Sequence, residues 1–212
     1  MDQIKIEQIL VGPFEVNCFA IYMPSNNSII IDPGYDAEKI AAFIKKKNIV
    51  PCAYLLTHGH IDHVSAVADL CDQWKAPVLI NKLDSEWAFT TANAMPPYYP
   101  APRKPESEIR TITDGETIKN SDLEFQALST PGHTKGSMCF FFKKEGILFT
   151  GDTLFSGSVG RTDFPGGDSK ILSKSLAILK KLPESTKIFP GHGPSSDIKT
   201  EKETNYFMQI LR

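Results

Sequence analysis

The chain has 212 residues, 41% of them hydrophobic and 23% charged; it is long enough to bury roughly 70% of its unfolded surface and is neither a disordered chain nor a disulfide-stapled miniature. Its 23 Lys and Arg against 25 Asp and Glu give a formal net charge of -2 at pH 7, which supplies no general attraction for nucleic acid or an anionic membrane, so neither is expected as a partner. No apolar run has the length of a membrane span, and the opening MDQIKIEQILVG lacks a basic start and a long apolar stretch, so the expectation is one cytoplasmic domain over residues 1–212.

In chain order, ILVG, NCFAIYM and SIIIDPG predict three short strands. Asp36 then predicts the cap of a helix with Ile40, Phe43 and Ile44 inward and the lysines at 45–47 at its C-terminal end, where the helix dipole favours cations. CAYLLTH is a fourth strand, a helix after His63 places Val64, Val67, Ala68, Cys71 and Trp74 on one face, and PVLIN is a fifth strand. The segment MPPYYPAPRKP at 95–105 cannot be an interior strand or helix, because proline lacks the N–H donor and fixes φ. It is either a plain surface connection or a rim over a pocket, offering Tyr98, Tyr99 and Arg103.

The second half repeats the pattern, with strands at QALSTPG, SMCFFF, ILFTGD and KIFPGHG and a helix from Asp168 that carries Leu172, Leu176 and Leu179. A last helix is expected from Thr200, opened by the capping box Thr-Glu-Lys-Glu and turning Tyr206, Phe207 and Ile210 inward. Cys18, Cys52, Cys71 and Cys139 lie in apolar runs without C-x-x-C spacing and read as reduced core thiols. Strand clusters in both halves, with helices between and after them, predict an α+β domain: two sheets packed together and sheathed by helices.

All five histidines fall at strand ends, in Thr57-His58-Gly59-His60-Ile61-Asp62-His63, Pro131-Gly132-His133-Thr134 and Pro190-Gly191-His192-Gly193. Imidazole is the commonest zinc ligand, and five imidazoles with Asp62 and Asp152 supply donors for two cations. Leaving an extended strand, His58 and His60 are two apart and can chelate one cation, with Gly59 permitting the tight path. Asp62 and His63, at the start of the next helix, point to a neighbouring position and form half of a second site. His133, Asp152 and His192 each follow an apolar strand and can gather at the same sheet edge. Asp152 is the natural bridge, because a carboxylate has two oxygens to share. Asp32, Thr57 and Thr134 either orient imidazoles or serve as turn and cap residues.

Through THGHIDH, PGHTKGS, GDTLFSGSVGRTDFPGGD and FPGHG, in that order, the chain resembles the metallo-β-lactamase superfamily, in a short form of its glyoxalase II (hydroxyacylglutathione hydrolase) branch. The resemblance implies an αββα sandwich with the metals at one edge, His58, His60 and His133 on the first, Asp62, His63 and His192 on the second, and Asp152 across both. Full-length glyoxalase II enzymes carry a C-terminal helical domain that contributes to glutathione binding, whereas this chain ends about one helix after His192, so that domain is not expected here. Arg161 stands where the family often has a glutathione-contacting Lys. It is either a carboxylate clamp or an ion-pair partner of Asp163 or Asp168.

The expected cofactors are two divalent cations per chain, zinc first, with iron or manganese as alternatives. The expected activity is hydrolysis of S-lactoylglutathione or a related hydroxyacyl thioester by a hydroxide shared between the cations, with Asp62 and Asp152 as catalytic residues, Arg161, Tyr98 and Tyr99 as substrate contacts, and the chain as a monomer or small homo-oligomer. Two alternatives stand beside it. The GRTDF core is also similar to persulfide dioxygenases, which hold one iron, and the chain could be a non-catalytic metal-binding interaction domain. The β-lactamases themselves fit less well, because their bridge position is not an Asp.

Overall fold

The computed structural model describes residues 4–120 and 122–211. The first half builds a six-stranded sheet from β1 (Lys5–Val11), β2 (Val16–Tyr22), β3 (Asn27–Ile31), β4 (Val50–Leu55), β5 (Val78–Asn81) and β6 (Ile109–Ile112), in that spatial order. The first three strands pair antiparallel and the last three join in parallel. Parallel neighbours need crossovers, which α1 (Ala37–Lys47), α2 (Ile61–Val64), α3 (Val67–Gln73) and α4 (Lys82–Ser85) supply. The second half builds a matching sheet from β7 (Thr117–Asn120), β8 (Leu123–Ser129), β9 (Met138–Phe142), β10 (Ile147–Gly151), then, beyond a small hairpin of β11 (Leu154–Phe155) and β12 (Ser158–Val159) and helix α5 (Ser169–Leu179), β13 (Lys187–Pro190) and β14 (Ser196–Asp197). Helices α6 (Ile198–Thr204) and α7 (Tyr206–Gln209) follow.

The alternation of side chains along each strand decides the layering. In β3, Ile29 and Ile31 enter the space between the sheets, where they meet Phe125, Phe140, Phe142 and Phe149 from the other half, while Ile30 faces outward onto Ile40, Ile44, Val67 and Leu70 of α1 and α3. In β9, Phe140 and Phe142 point inward, and Cys139 and Phe141 point outward onto Leu172, Leu176 and Leu179 of α5. Three apolar clusters therefore hold four layers, helix, sheet, sheet and helix, as the sequence leads one to expect. Each of the three α5 leucines, all buried, contributes about 1.5–3 kcal/mol. Asp168 starts that helix as predicted, accepting the amides of Lys170 and Ile171 at 2.8 and 3.0 Å. The four cysteines are free thiols, three of them buried.

Three local expectations are corrected. Asp36 does not cap α1 with its side chain: it sits in the left-handed region with φ 51°, and its carboxylate accepts the Gly12 amide at 2.9 Å instead. The helix after His63 starts at Ile61 and breaks into α2 and α3; Val64, Val67, Ala68 and Cys71 are buried as expected and Trp74 only partly so. The last helix starts at Ile198, two residues before Thr200, because Asp197 takes the Thr200 amide at 2.9 Å. Asn205 then interrupts it and caps α7 through the Phe207 amide. That break turns Met208 inward and leaves Tyr206, Phe207 and Ile210 exposed, at 64%, 40% and 55%.

Candidate metal centre

In the second sheet β8, β10 and β13 run in one direction, so the turns that follow them open at one edge, and the turn after β4 of the first sheet meets them there. His58 and His60 come from the turn after β4, Asp62 and His63 from α2, His133 from the turn after β8, Asp152 directly after β10, and His192 directly beyond β13. Their donor atoms gather in three overlapping groups, His58/His60/His133, His58/His63/Asp152 and Asp62/His63/His192, each within 4.8 Å. Asp152 lies between them: Oδ1 is 3.5 Å from His63 Nε2, and Oδ2 is 3.5 Å from His133 Nε2 and 3.7 Å from His192 Nε2. Asp62 Oδ2 stands 3.5 Å from His192 Nε2 and 3.8 Å from His63 Nε2. The approach is close enough that a Cβ at Gly191 would stand 2.3 Å from Asp152 Oδ1 and 2.7 Å from His63 Cε1, so only glycine fits there.

Four rings are held from behind. His58 Nδ1 donates to Thr57 Oγ1 at 3.1 Å, His63 Nδ1 to Asp32 Oδ2 at 3.0 Å, His133 Nδ1 to the Arg161 carbonyl at 2.7 Å and His192 Nδ1 to the Phe14 carbonyl at 3.0 Å. These bonds set the tautomer and leave each Nε2 facing the centre. His60 Nδ1 lies 2.9 Å from His133 Nε2. Asp32 also accepts the Thr57 amide at 2.8 Å and the Thr57 hydroxyl at 2.6 Å, so Asp32 and Thr57 orient imidazoles. Thr134 bonds no ring directly: its hydroxyl goes to Asp84 and Ser137.

Without a cation this arrangement is costly. His58 Nε2, His63 Nε2 and Asp152 Oδ1 are buried and have no hydrogen-bond partner among the described residues. Each orphaned polar atom costs roughly 1–3 kcal/mol. In the protein alone, burial lowers the pKa of His60 to about 3 and that of His58 well below its usual value. His63 goes the other way: burial opposes its charge, yet Asp152, Asp62 and Asp32 outweigh it and lift the ring to about 10. A surplus of carboxylate that a buried imidazole must neutralise is what a cation would replace. Orphaned nitrogens and an orphaned carboxylate oxygen, with four rings held from behind in one orientation, fit two divalent cations.

The centre opens on a cleft of about 1110 Å³, walled by Phe14, Leu83, Trp87, Met95 and Phe164. Of the proposed substrate contacts, Arg161 lines it, but its guanidinium is paired with both Asp163 oxygens at 2.7 Å and lies 3.7 Å from the Phe164 ring centroid. Tyr98 and Tyr99 are not on the cleft wall. The proline-rich segment folds back on itself, with the Met95 amide 3.0 Å from the Tyr99 carbonyl and the Tyr99 amide 2.9 Å from that of Met95. This sends the Tyr99 ring into the interior against Phe14 and Tyr35 and leaves Tyr98 exposed, so Met95 is what the segment offers the cleft. Arg103 is spent on Asp69 and Asp72, at 2.7 and 2.6 Å. Sequence reasoning missed Trp87, Phe164 and the exposed Lys135 on the cleft wall, and the buried Asp84 behind it. Lys135 sits two residues beyond His133 in a motif already in view, whereas Trp87 and Asp84 carry no spacing signal.

Comparison with known proteins agrees with this geometry. Residues 11–192 match the family described as the metallo-beta-lactamase superfamily. A Haemophilus influenzae protein named hydroxyacylglutathione hydrolase GloC is 33% identical over 210 residues, covering 97% of this chain and 98% of that one. Among solved structures, BLEG-1 B3 metallo-beta-lactamase superposes with a TM-score of 0.90 at 34% identity, covering 96% of this chain and 99% of that one. TTHA1623 in a di-iron-bound form superposes with a TM-score of 0.84 at 35% identity, covering 95% and 99%.

Proposed function

The chain belongs to the metallo-beta-lactamase superfamily, and from that premise we propose that it is a metal-dependent thioesterase acting on S-lactoylglutathione or a related hydroxyacyl thioester. The observation that carries the reading is the orphaned donor atoms of His58, His63 and Asp152, which lie within 4.8 Å of one another and reach the cleft at Asp152. In this reading His58, His60 and His133 hold one cation, Asp62, His63 and His192 hold a second, and Asp152 stands between them. Bound there, two divalent cations, zinc in our reading, supply Lewis acidity for the scissile carbonyl and a water activated for attack at neutral pH.

The remaining work falls to the chain's own residues. Every imidazole belongs to the donor groups, which leaves none in the centre to protonate a leaving group. A thiolate with a pKa of about 8.5 leaves without that help, whereas the amine of an ordinary amide does not, so the donor set favours thioesters. Phe14, Trp87, Met95 and Phe164 wall the cleft and exclude water from the bound chain. Lys135, exposed on the same wall and free of ion pairs among the described residues, supplies the cation for a glutathione carboxylate that Arg161, held by Asp163, does not. The name of the Haemophilus relative, hydroxyacylglutathione hydrolase GloC, supports the same substrate class.

The likeness to BLEG-1 favours one second reading, β-lactam hydrolysis. A one-iron dioxygenase is the weaker alternative, because Asp62, His63 and His192 form a complete further donor group. Metal-replete protein assayed in parallel on S-lactoylglutathione and a chromogenic cephalosporin separates the readings. We expect thioester kcat/KM in the ordinary enzymatic range, above about 10⁴ M⁻¹s⁻¹, and at least a hundredfold less on the cephalosporin; the reverse order would replace the thioesterase reading with the second one.

A further inference from the structure

The nitrogens of the His58/His60/His133 group reach the centre on two turns 73 residues apart, as the contact between His60 and His133 shows. Both turns close on one side chain that no motif marks. Asp84, on α4, is wholly buried. Its Oδ2 accepts the Gly59 amide at 2.9 Å and the Thr134 hydroxyl at 2.6 Å, and its Oδ1 accepts the Gly136 amide at 2.8 Å. Gly59 lies between His58 and His60, and Thr134 adjoins His133, so one carboxylate ties together the two turns that carry all three rings. Asn93, in the short turn Thr91–Asn93, completes the hold: its amide donates to the Gly59 carbonyl at 2.8 Å and to the Ala88 carbonyl at 2.7 Å. Both peptide groups of His58-Gly59-His60 are thereby fixed. Trp87 and Ala88 close the remaining side, since a Cβ on Gly59 would stand 3.0 Å from Trp87 Cζ2 and 3.2 Å from Ala88 Cβ.

We propose that Asp84 and Asn93 are positioning residues for the His58/His60/His133 group, setting the spacing of its nitrogens and hence its affinity for a cation without touching it. The proposal rests on the reading that this group holds a metal. Its physical basis is that a donor set assembled from separate turns binds tightly only if the turns are fixed before the ion arrives. The Asp62/His63/His192 group has no bond to either residue, so the effect is confined to one site.

The same molecule provides a control. Glu201 is also wholly buried and also satisfied by three donors, the Gly157 amide at 2.9 Å, Ser196 Oγ at 2.5 Å and Asn205 Nδ2 at 2.8 Å, but none of these adjoins a residue of the donor groups. The experiment is competitive zinc titration against a chromophoric chelator for the full-length wild type, Asp84→Asn and Glu201→Gln, with Co²⁺ absorption spectra and the melting temperature of each metal-free protein. Asp84→Asn is expected to weaken one zinc site about 10- to 100-fold and shift its Co²⁺ bands, with the other site within twofold of wild type. Combining it with His60→Ala should weaken no additional site. Glu201→Gln should lower the melting temperature and leave both affinities in place.

Two wild-type affinities in folded Asp84→Asn, or equal weakening of both sites, would overturn the proposal. Should Asp84→Asn fail to fold, Thr134→Val removes one donor from the carboxylate without disturbing its burial, and an unchanged affinity in that variant overturns the proposal equally. Because no substrate enters the titration, a wild type that binds two zinc ions but cleaves no thioester defeats only the thioesterase reading. A wild type that binds none defeats both.

Discussion

The two halves of the molecule each end an apolar strand in an aspartate turn, Ile-Ile-Ile-Asp-Pro-Gly after β3 and Leu-Phe-Thr-Gly-Asp after β10, and the two aspartates do opposite work. Asp32 is 1% exposed, and both of its oxygens are satisfied, by the Thr57 amide and hydroxyl and by His63 Nδ1. Asp152 faces the other nitrogen of the same ring across 3.5 Å, and its Oδ1 is buried with no hydrogen-bond partner. His63 is thus gripped between a carboxylate that fixes it and one that shares its task. A buried carboxylate that is fully bonded orients its neighbours, whereas one with an orphaned oxygen keeps that oxygen free to donate to a cation.

The largest effect expected from breaking this contrast is at Asp152. Asp152→Ala should cut thioesterase turnover by more than about a thousandfold, in line with loss of a group acting directly on the reacting centre, and lower the metal content, while circular dichroism stays that of the wild type. Full turnover in that variant would remove Asp152 from the donor set. Asp32→Asn should act more gently, weakening metal affinity roughly 10- to 100-fold through the loosened His63 and Thr57; chelator competition measures it, and a loss as large as that at Asp152 would erase the distinction between the two. On the cleft wall, Lys135→Ala should raise KM for glutathione thioesters about threefold to fivefold with kcat unchanged, the size of an exposed ion pair. Steady-state kinetics on thioesters with and without a carboxylate in the thiol reads this effect, and an equal change for both would remove the ion pair from the explanation. Smallest of all, Arg161→Ala should leave KM within about twofold, because its guanidinium is already held by Asp163; a larger rise would restore the clamp role expected from sequence.

What could be read in the sequence, and what could not, follows the range of the interactions. Ile29, Ile30 and Ile31 declare a strand buried on both faces, and Asp168 with Leu172, Leu176 and Leu179 declares a capped amphipathic helix, because cap, period and apolar content lie within a dozen residues. The donor residues were legible for the same reason: each sits in a tight turn just beyond an apolar run. β6 and β7 escaped because Ile109–Ile112 and Thr117–Asn120 are short and half polar; β6 depends besides on pairing with β5, well back in the chain, whereas β7 pairs as a hairpin with the neighbouring β8. The inward placement of Tyr206, Phe207 and Ile210 failed because Asn205 bonds to the β11–β12 hairpin, through the Ser158 carbonyl at 3.0 Å, and breaks the helical phase. Asp84 was invisible since nothing local distinguishes it: its partners are 25, 50 and 52 residues away. Tyr98 and Tyr99 misled because proline content predicts a loop but not which way the loop folds.

The most direct test of the account is the number of divalent cations that the metal-free chain takes up, measured by calorimetric titration with elemental analysis of the saturated protein. The account predicts two per chain for the wild type, with fewer in Asp152→Ala. A saturated wild type holding one cation or none would contradict it.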